Sequence, residues 1–155
     1  MVTKGRVRIS KDKAEFVRLL KMSDNPSAPF QTYADLLTFA ATLGAKHNRR
    51  VPLAGVSLKN PDPVPIDQFI TRGYGPVIGL LALTSTSNPQ VLAMTDYADD
   101  QRVEMFEEYA NAGLEILQTE LVGAVDYSDQ VLLLLLKERQ GQTVDEFDLT
   151  KFLKT

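Results

Sequence analysis

From Asp99 to about Leu121 the sequence repeats an apolar stripe at three- and four-residue steps, carried by Val103, Phe106, Tyr109, Ala110, Leu114, Leu117 and Leu121. That spacing belongs to one face of a long α-helix, and such a helix must be covered along its whole stripe by other elements. Gly113 interrupts it at a helical cost of about 1 kcal/mol relative to alanine. Glu104, Glu107, Glu108 and Glu115 occupy the remaining positions and read as a solvated, charged face. Four carboxylates at helical spacing also evoke a di-metal bundle, but no Glu-x-x-His partner accompanies them.

The rest of the chain supplies the cover. Arg6-Val7-Arg8-Ile9 alternates with period two and reads as a short strand with Val7 and Ile9 on one side. Ser10 is placed to cap a helix over Lys11–Met22, with Phe16, Val17, Leu19 and Leu20 inward and Lys13, Arg18 and Lys21 toward solvent. Thr32 and Asp35 have capping-box spacing before a helix from Tyr33 to about Leu43, which Gly44 is placed to stop. Residues 51–65 hold four prolines and form an ordered loop. A short helix follows at Ile66–Thr71, and then an apolar segment from Val77 to Leu83, preferred as buried helix over buried strand. A short helix at Gln90–Met94 restarts after Asn88-Pro89.

Beyond the long stripe, a helix over about Ser128–Gln140 contains five successive leucines, Leu132 to Leu136, so every face of it needs cover from the core or a second subunit. Gly141 is placed to end it. Thr143 and Glu146 then open a C-terminal helix carrying Phe147, Leu149, Phe152 and Leu153. The expected fold is mainly α: one compact multi-helix domain over 1–155 with a short N-terminal β-strand. It divides into a basic strand-helix-helix part (about 5–50), the Pro-rich loop (about 51–65) and an acidic helical part (about 66–155).

Function classes fall away in turn. The absence of cysteine removes disulfides, thiolate metal sites, iron–sulfur clusters and a thiol nucleophile, and points to the cytoplasm. No apolar run reaches the length of a membrane span, and the first residues do not read as a signal peptide. Phosphate-binding glycine loops are missing, since Gly73-Tyr74-Gly75 leads into Pro76, which has no N–H to offer. The single histidine, His47, sits in a basic run and reads as a solvated loop residue rather than a ligand or base. Asp96-Tyr97-Ala98-Asp99-Asp100 lacks the calcium-loop spacing and reads as a helix start. No catalytic residue, metal or cofactor is therefore expected.

Charge is distributed unevenly. Residues 1–50 hold ten Lys/Arg against four Asp/Glu, a net +6, and residues 51–155 hold seven against sixteen, a net −9. A basic binding face on an acidic body would have this polarity, and so would plain solvation of helix surfaces. Arg6, Arg8, Lys11, Lys46, Arg49 and Arg50 are the candidate DNA-binding residues, able to neutralise phosphates if strand and helix end come together. Docking like that of ribbon–helix–helix proteins is a weaker analogy, because the inter-helix loop is long.

Four strings carry a family resemblance: Phe30 through Gly44, Asn48-Arg49-Arg50-Val51-Pro52-Leu53, Arg72-Gly73-Tyr74, and Phe106 through Leu117. Over nearly its whole length the chain resembles the DNA phosphorothioation-associated protein 4 family, encoded beside dnd sulfur-modification and restriction genes. The resemblance implies a part in a system that places sulfur in the DNA backbone or restricts unmodified DNA, with other proteins of that system as partners. It brings no catalytic residues. Two roles stay open: a non-enzymatic accessory that associates with DNA, and a protein–protein adaptor or regulator that never touches DNA. An enzyme working through an unrecognised carboxylate site is the third. The leucine-rich helix makes a homo-oligomer compatible with both leading roles.

Overall fold

The two most amphipathic helices cross at their glycines. The computed structural model describes residues 5–22 and 26–146, with side chains described through residue 139. Helix α2 (Tyr33–Lys46) packs along helix α5 (Asp96–Glu120), and this crossing forms the centre of the molecule. A Cβ on Gly44 would lie 3.1 Å from the carbonyl carbon of Tyr109 and 3.2 Å from the Gly113 nitrogen; one on Gly113 would lie 2.8 Å from Ala40 Cα and nearer still to the Ala40 carbonyl. Each glycine admits the other helix's backbone. Gly44 therefore does not stop α2, which runs on to Lys46, and the left-handed residue that follows is Asn48 (φ 52°).

Around this crossing lie β1 (Arg6–Val7), a 3-10 turn (Lys11–Lys13) running into α1 (Ala14–Leu20), β2 (Val64–Pro65), α3 (Ile66–Thr71), α4 (Gly75–Thr86), a second 3-10 turn (Pro89–Leu92) and α6 (Tyr127–Glu146). The mainly helical class is the observed one, with a single two-stranded sheet among the described residues. The predicted strand finds its partner in the proline loop: Arg6 pairs with Pro65 and Val7 with Val64, antiparallel. Proline is tolerated because this ribbon has no further strand to receive its missing N–H. Val7, Ile9, Val17, Leu20, Leu36, Leu37, Val64, Phe69, Ile78, Phe106, Leu114, Leu117, Val131 and Leu134 belong to one continuous buried cluster. Phe69 and Phe106 meet edge to face, 5.4 Å between ring centres.

Several local expectations give way to tertiary contacts. Ser10 caps nothing with its side chain; its hydroxyl donates to Asp12 and accepts the Ala54 N–H at 2.9 Å, tying the start of the first helical segment to the proline loop. Lys13 is buried, not solvent-facing, while Leu19 is half exposed. The apolar segment after Gly75 is helix, as preferred, and the stretch after Asn88 is a 3-10 turn rather than an α-helix. Helix α6 passes through Gly141 without ending. The helix expected around Phe147, Leu149, Phe152 and Leu153 lies outside the described residues.

Candidate functional site

The basic and acidic halves of the chain neutralise each other across much of the α2–α5 region. Arg8 lies against Glu107 of α5: its Nε donates to Oε2 at 3.0 Å, its Nη2 to Oε1 at 2.9 Å, and its backbone N–H also donates to Oε2. The Glu107 side chain is fully buried. Burial pushes its carboxyl above the usual carboxylate range against the pull of the Arg8 hydrogen bonds, while the bond to Glu107 raises the Arg8 guanidinium. Buried Lys13 sits 2.9 Å from Asp12 and 3.6 Å from Glu115.

Residues 46–50 form a second set of ties. Lys46 and His47 both reach Glu138 of α6, His47 Nε2 at 2.7 Å, and Lys46 also donates to the Glu138 carbonyl at 2.8 Å. Arg49 reaches Glu115 at 3.1 Å. Arg50 donates to Glu108 at 2.7 Å and to Ser85 Oγ at 3.2 Å, with its guanidinium 5.6 Å from the Tyr109 ring centre. Three of the four glutamates expected on a solvated face of α5, Glu107, Glu108 and Glu115, are thus partners for the N-terminal cations, with Glu107 part of the interior, while Glu104 is exposed as expected. His47, just past α2, is exposed as expected, and its ring also lies against the Glu138 carboxylate.

Of the six sequence-selected cations, Arg6 and Lys11 have no carboxylate partner among the described residues. Arg6 donates to the Pro63 carbonyl at 3.4 Å, and the Lys11 side chain is exposed. Two further cations in the same condition read in the sequence as ordinary helix-surface charge. Arg18 donates to the Asn60 carbonyl at 3.0 Å, and Lys21 Nζ stands 4.5 Å over the Tyr33 ring. Arg6, Lys21, Tyr33, Asn60 and Gln68 line an open groove of about 450 Å³ along the 60–65 loop, with Asp62 as its one carboxylate among the described residues. The signal that would have found this cluster is pairwise: α1 and the residue after it present Arg18 and Lys21, three residues apart, to a loop rich in proline carbonyls.

A neighbouring cluster is structural. Asp35 caps nothing with its carboxylate, although Thr32 Oγ1 accepts the Asp35 N–H at 3.1 Å as the sequence spacing predicts. Its oxygens instead take Arg72 Nε at 2.7 Å and Nη2 at 2.8 Å, together with the Tyr74 hydroxyl. Burial raises the Asp35 carboxyl, and the Tyr74 and Arg72 hydrogen bonds outweigh it, leaving it below the usual range. Glu138 is lowered in the same way, burial being outweighed by Lys46 and His47, and Asp12 is lowered first by its Ser10 hydrogen bond. Carboxylates depressed in the folded state contribute stability above their unfolded value, about pH 4, and lose it as pH falls through the folded values. Urea midpoints are therefore expected to fall steeply below about pH 4, and the deficit of Asp35→Asn against wild type is expected to be largest at neutral pH and to close in acid. A deficit independent of pH would show that the Asp35 charge contributes nothing.

Asn111 completes the pattern by donating to the Val51 and Pro52 carbonyls, both at 3.1 Å. All four motif strings thus converge on shared contacts: α2 with α5 at Gly44 and Gly113, α2 with Arg72 and Tyr74, and α5 with the 51–52 backbone. The family described as DNA sulphur modification system-associated protein 4 matches residues 6–152.

The chain belongs to that family. No curated protein and no solved structure matches it. In this member of the DNA sulphur modification system-associated protein 4 family, the four strings meet at the contacts that join α2, α5 and the loops between them, and no group of three or more His, Asp or Glu able to hold a metal occurs among the described residues. No helix among those residues is long and apolar enough to cross a membrane.

Proposed function

We propose that the protein is a non-catalytic component of its DNA sulphur modification system and contacts the DNA backbone through the groove between α1 and the 60–65 loop. The observation that carries this reading is the division of the cations. Arg8, Lys46, Arg49 and Arg50 direct their charge at the protein's own carboxylates, whereas Arg6, Arg18 and Lys21 engage carbonyls and an aromatic ring, with no carboxylate salt bridge among the described residues. A guanidinium held by a neutral carbonyl keeps its positive field and remains able to meet a phosphate oxygen.

The test is a titration of duplex DNA at about 50 mM and 200 mM salt, with phosphorothioated and unmodified duplexes. Each phosphate that a variant no longer neutralises is expected to reduce the salt slope by about 0.9. Arg6→Ala/Arg18→Ala/Lys21→Ala is expected to remove most of the affinity, and Arg49→Ala/Arg50→Ala far less. Equal effects of the two variants would return the interface to residues 46–50; no binding by folded wild-type protein would reject DNA contact. In that event the adaptor reading stands. It is favoured by one observation of its own, the half-exposed Leu132, Leu133, Leu135 and Leu136 on the outer side of α6, where the core takes Val131 and Leu134.

A further inference from the structure

Apart from the basic groove, the molecule has a second cavity of opposite character. It measures about 590 Å³, within the range of ligand-binding clefts. Ile66 and Ile70 of α3, Ile78 of α4 and Val103 of α5 form its apolar walls, and Gly5 and Gly75 leave its edge open. Among the described residues its rim carries Asp96, Asp99, Asp100 and the guanidinium of Arg102.

Arg102 is already committed. It pairs with Asp99 and donates to the Val91 and Ala93 carbonyls at 2.7 and 3.0 Å. Asp96 and Asp99 also complement the positive end of α5, whose first turn is capped by Thr95. Asp100 has neither cation nor hydrogen-bond donor among the described residues, and Ile70 is 58% exposed at the lip. The cleft therefore joins an accessible aliphatic lip at Ile70, backed by the buried Ile78 and Val103, to the exposed carboxylate of Asp100. Nucleic acid is repelled by such a rim; a protein segment presenting an aliphatic side chain flanked by lysine or arginine matches both halves of it.

We infer that this cleft is a docking site for a basic, aliphatic segment of a partner protein. The inference is independent of the basic groove, because it uses none of its residues.

Methyl-resolved NMR on the full chain tests it, using a short synthetic peptide of leucines flanked by lysine and arginine, with a control peptide carrying glutamate and aspartate at the flanks. The expected result is shifts confined to the methyls of Ile66, Ile70, Ile78 and Val103 with the basic peptide and none with the acidic one. Asp100→Lys and Ile70→Lys alter exposed side chains, and together they are expected to weaken binding by about tenfold, with Asp100→Lys alone having a smaller effect. Leu133→Lys on α6 is expected to change nothing. Absence of shifts at high peptide concentration, equal response to the acidic peptide, or shifts centred on the α6 leucines would each overturn the assignment.

Discussion

Arg8→Ala is expected to lower stability at neutral pH by about 3–5 kcal/mol, the usual cost of removing one partner from a buried ion pair. The melting temperature should fall by on the order of 10 °C for a domain of this size. The reason is what remains behind: a fully buried Glu107 carboxylate without its guanidinium hydrogen bonds, holding only the backbone N–H of residue 8. Its folded-state pKa, already raised by burial, rises further in the variant. A carboxyl raised in the folded state contributes stability below its unfolded pKa and loses that contribution as pH rises through the folded value. The variant's deficit should therefore be greatest at neutral pH and smaller near pH 5. Arg8→Met combined with Glu107→Leu should recover most of the stability, since apolar replacement of both partners is often neutral or better. Thermal melts across pH check all three expectations. An Arg8→Ala protein with unchanged melting but weakened DNA binding would instead make Arg8 a phosphate contact.

Gly113→Ala should unfold or severely destabilise the protein, although helix propensity alone favours alanine by about 1 kcal/mol. The added methyl would stand 2.8 Å from Ala40 Cα, so the obstacle is backbone and no side chain can turn aside. Relief requires moving α2 off α5, which opens the cluster containing Leu36, Leu37, Phe106 and Leu114. Overpacking of an ordinary core costs about 1–3 kcal/mol, and this crossing should meet or exceed the upper figure. Gly44→Ala, which meets Tyr109 and Gly113 backbone, should act in the same direction. Circular-dichroism melts decide the matter; a Gly113→Ala protein more stable than wild type would mean that the helices do not cross there.

Both cases turn on a partner that lies far away in the sequence. Periodicity locates the body of α5, and the Thr32 spacing identifies a cap that the structure contains, because those signals depend on residues within a turn or two of one another. Partnerships between distant elements leave no such periodic trace. Gly113 reads as a weak point in a helix until Ala40 is known to lie against it. Lys13 reads as a surface lysine until Asp12 and Glu115 close around it. The second strand is hidden because Pro63 and Pro65 argue against extended pairing, and its edge position removes that objection. For the candidate interface, alternation along Arg6–Ile9 points to Arg6, but an excess of positive charge in the first fifty residues does not distinguish cations already matched by carboxylates from those left available, nor does it reveal Arg18 and Lys21.

The bond between Arg8 and Glu107 joins residues 99 positions apart, and Arg6 reaches Pro63 across 57. A ribosome releases the first strand long before it makes the helix that receives it. Until α5 has emerged, β1 can pair only with β2 and α2 has no groove for its glycine face, so the central crossing stays open. Long-range closures of this kind cost loop entropy before any contact compensates for it, which slows folding. The central crossing of this protein thus cannot close until most of the chain has been synthesised.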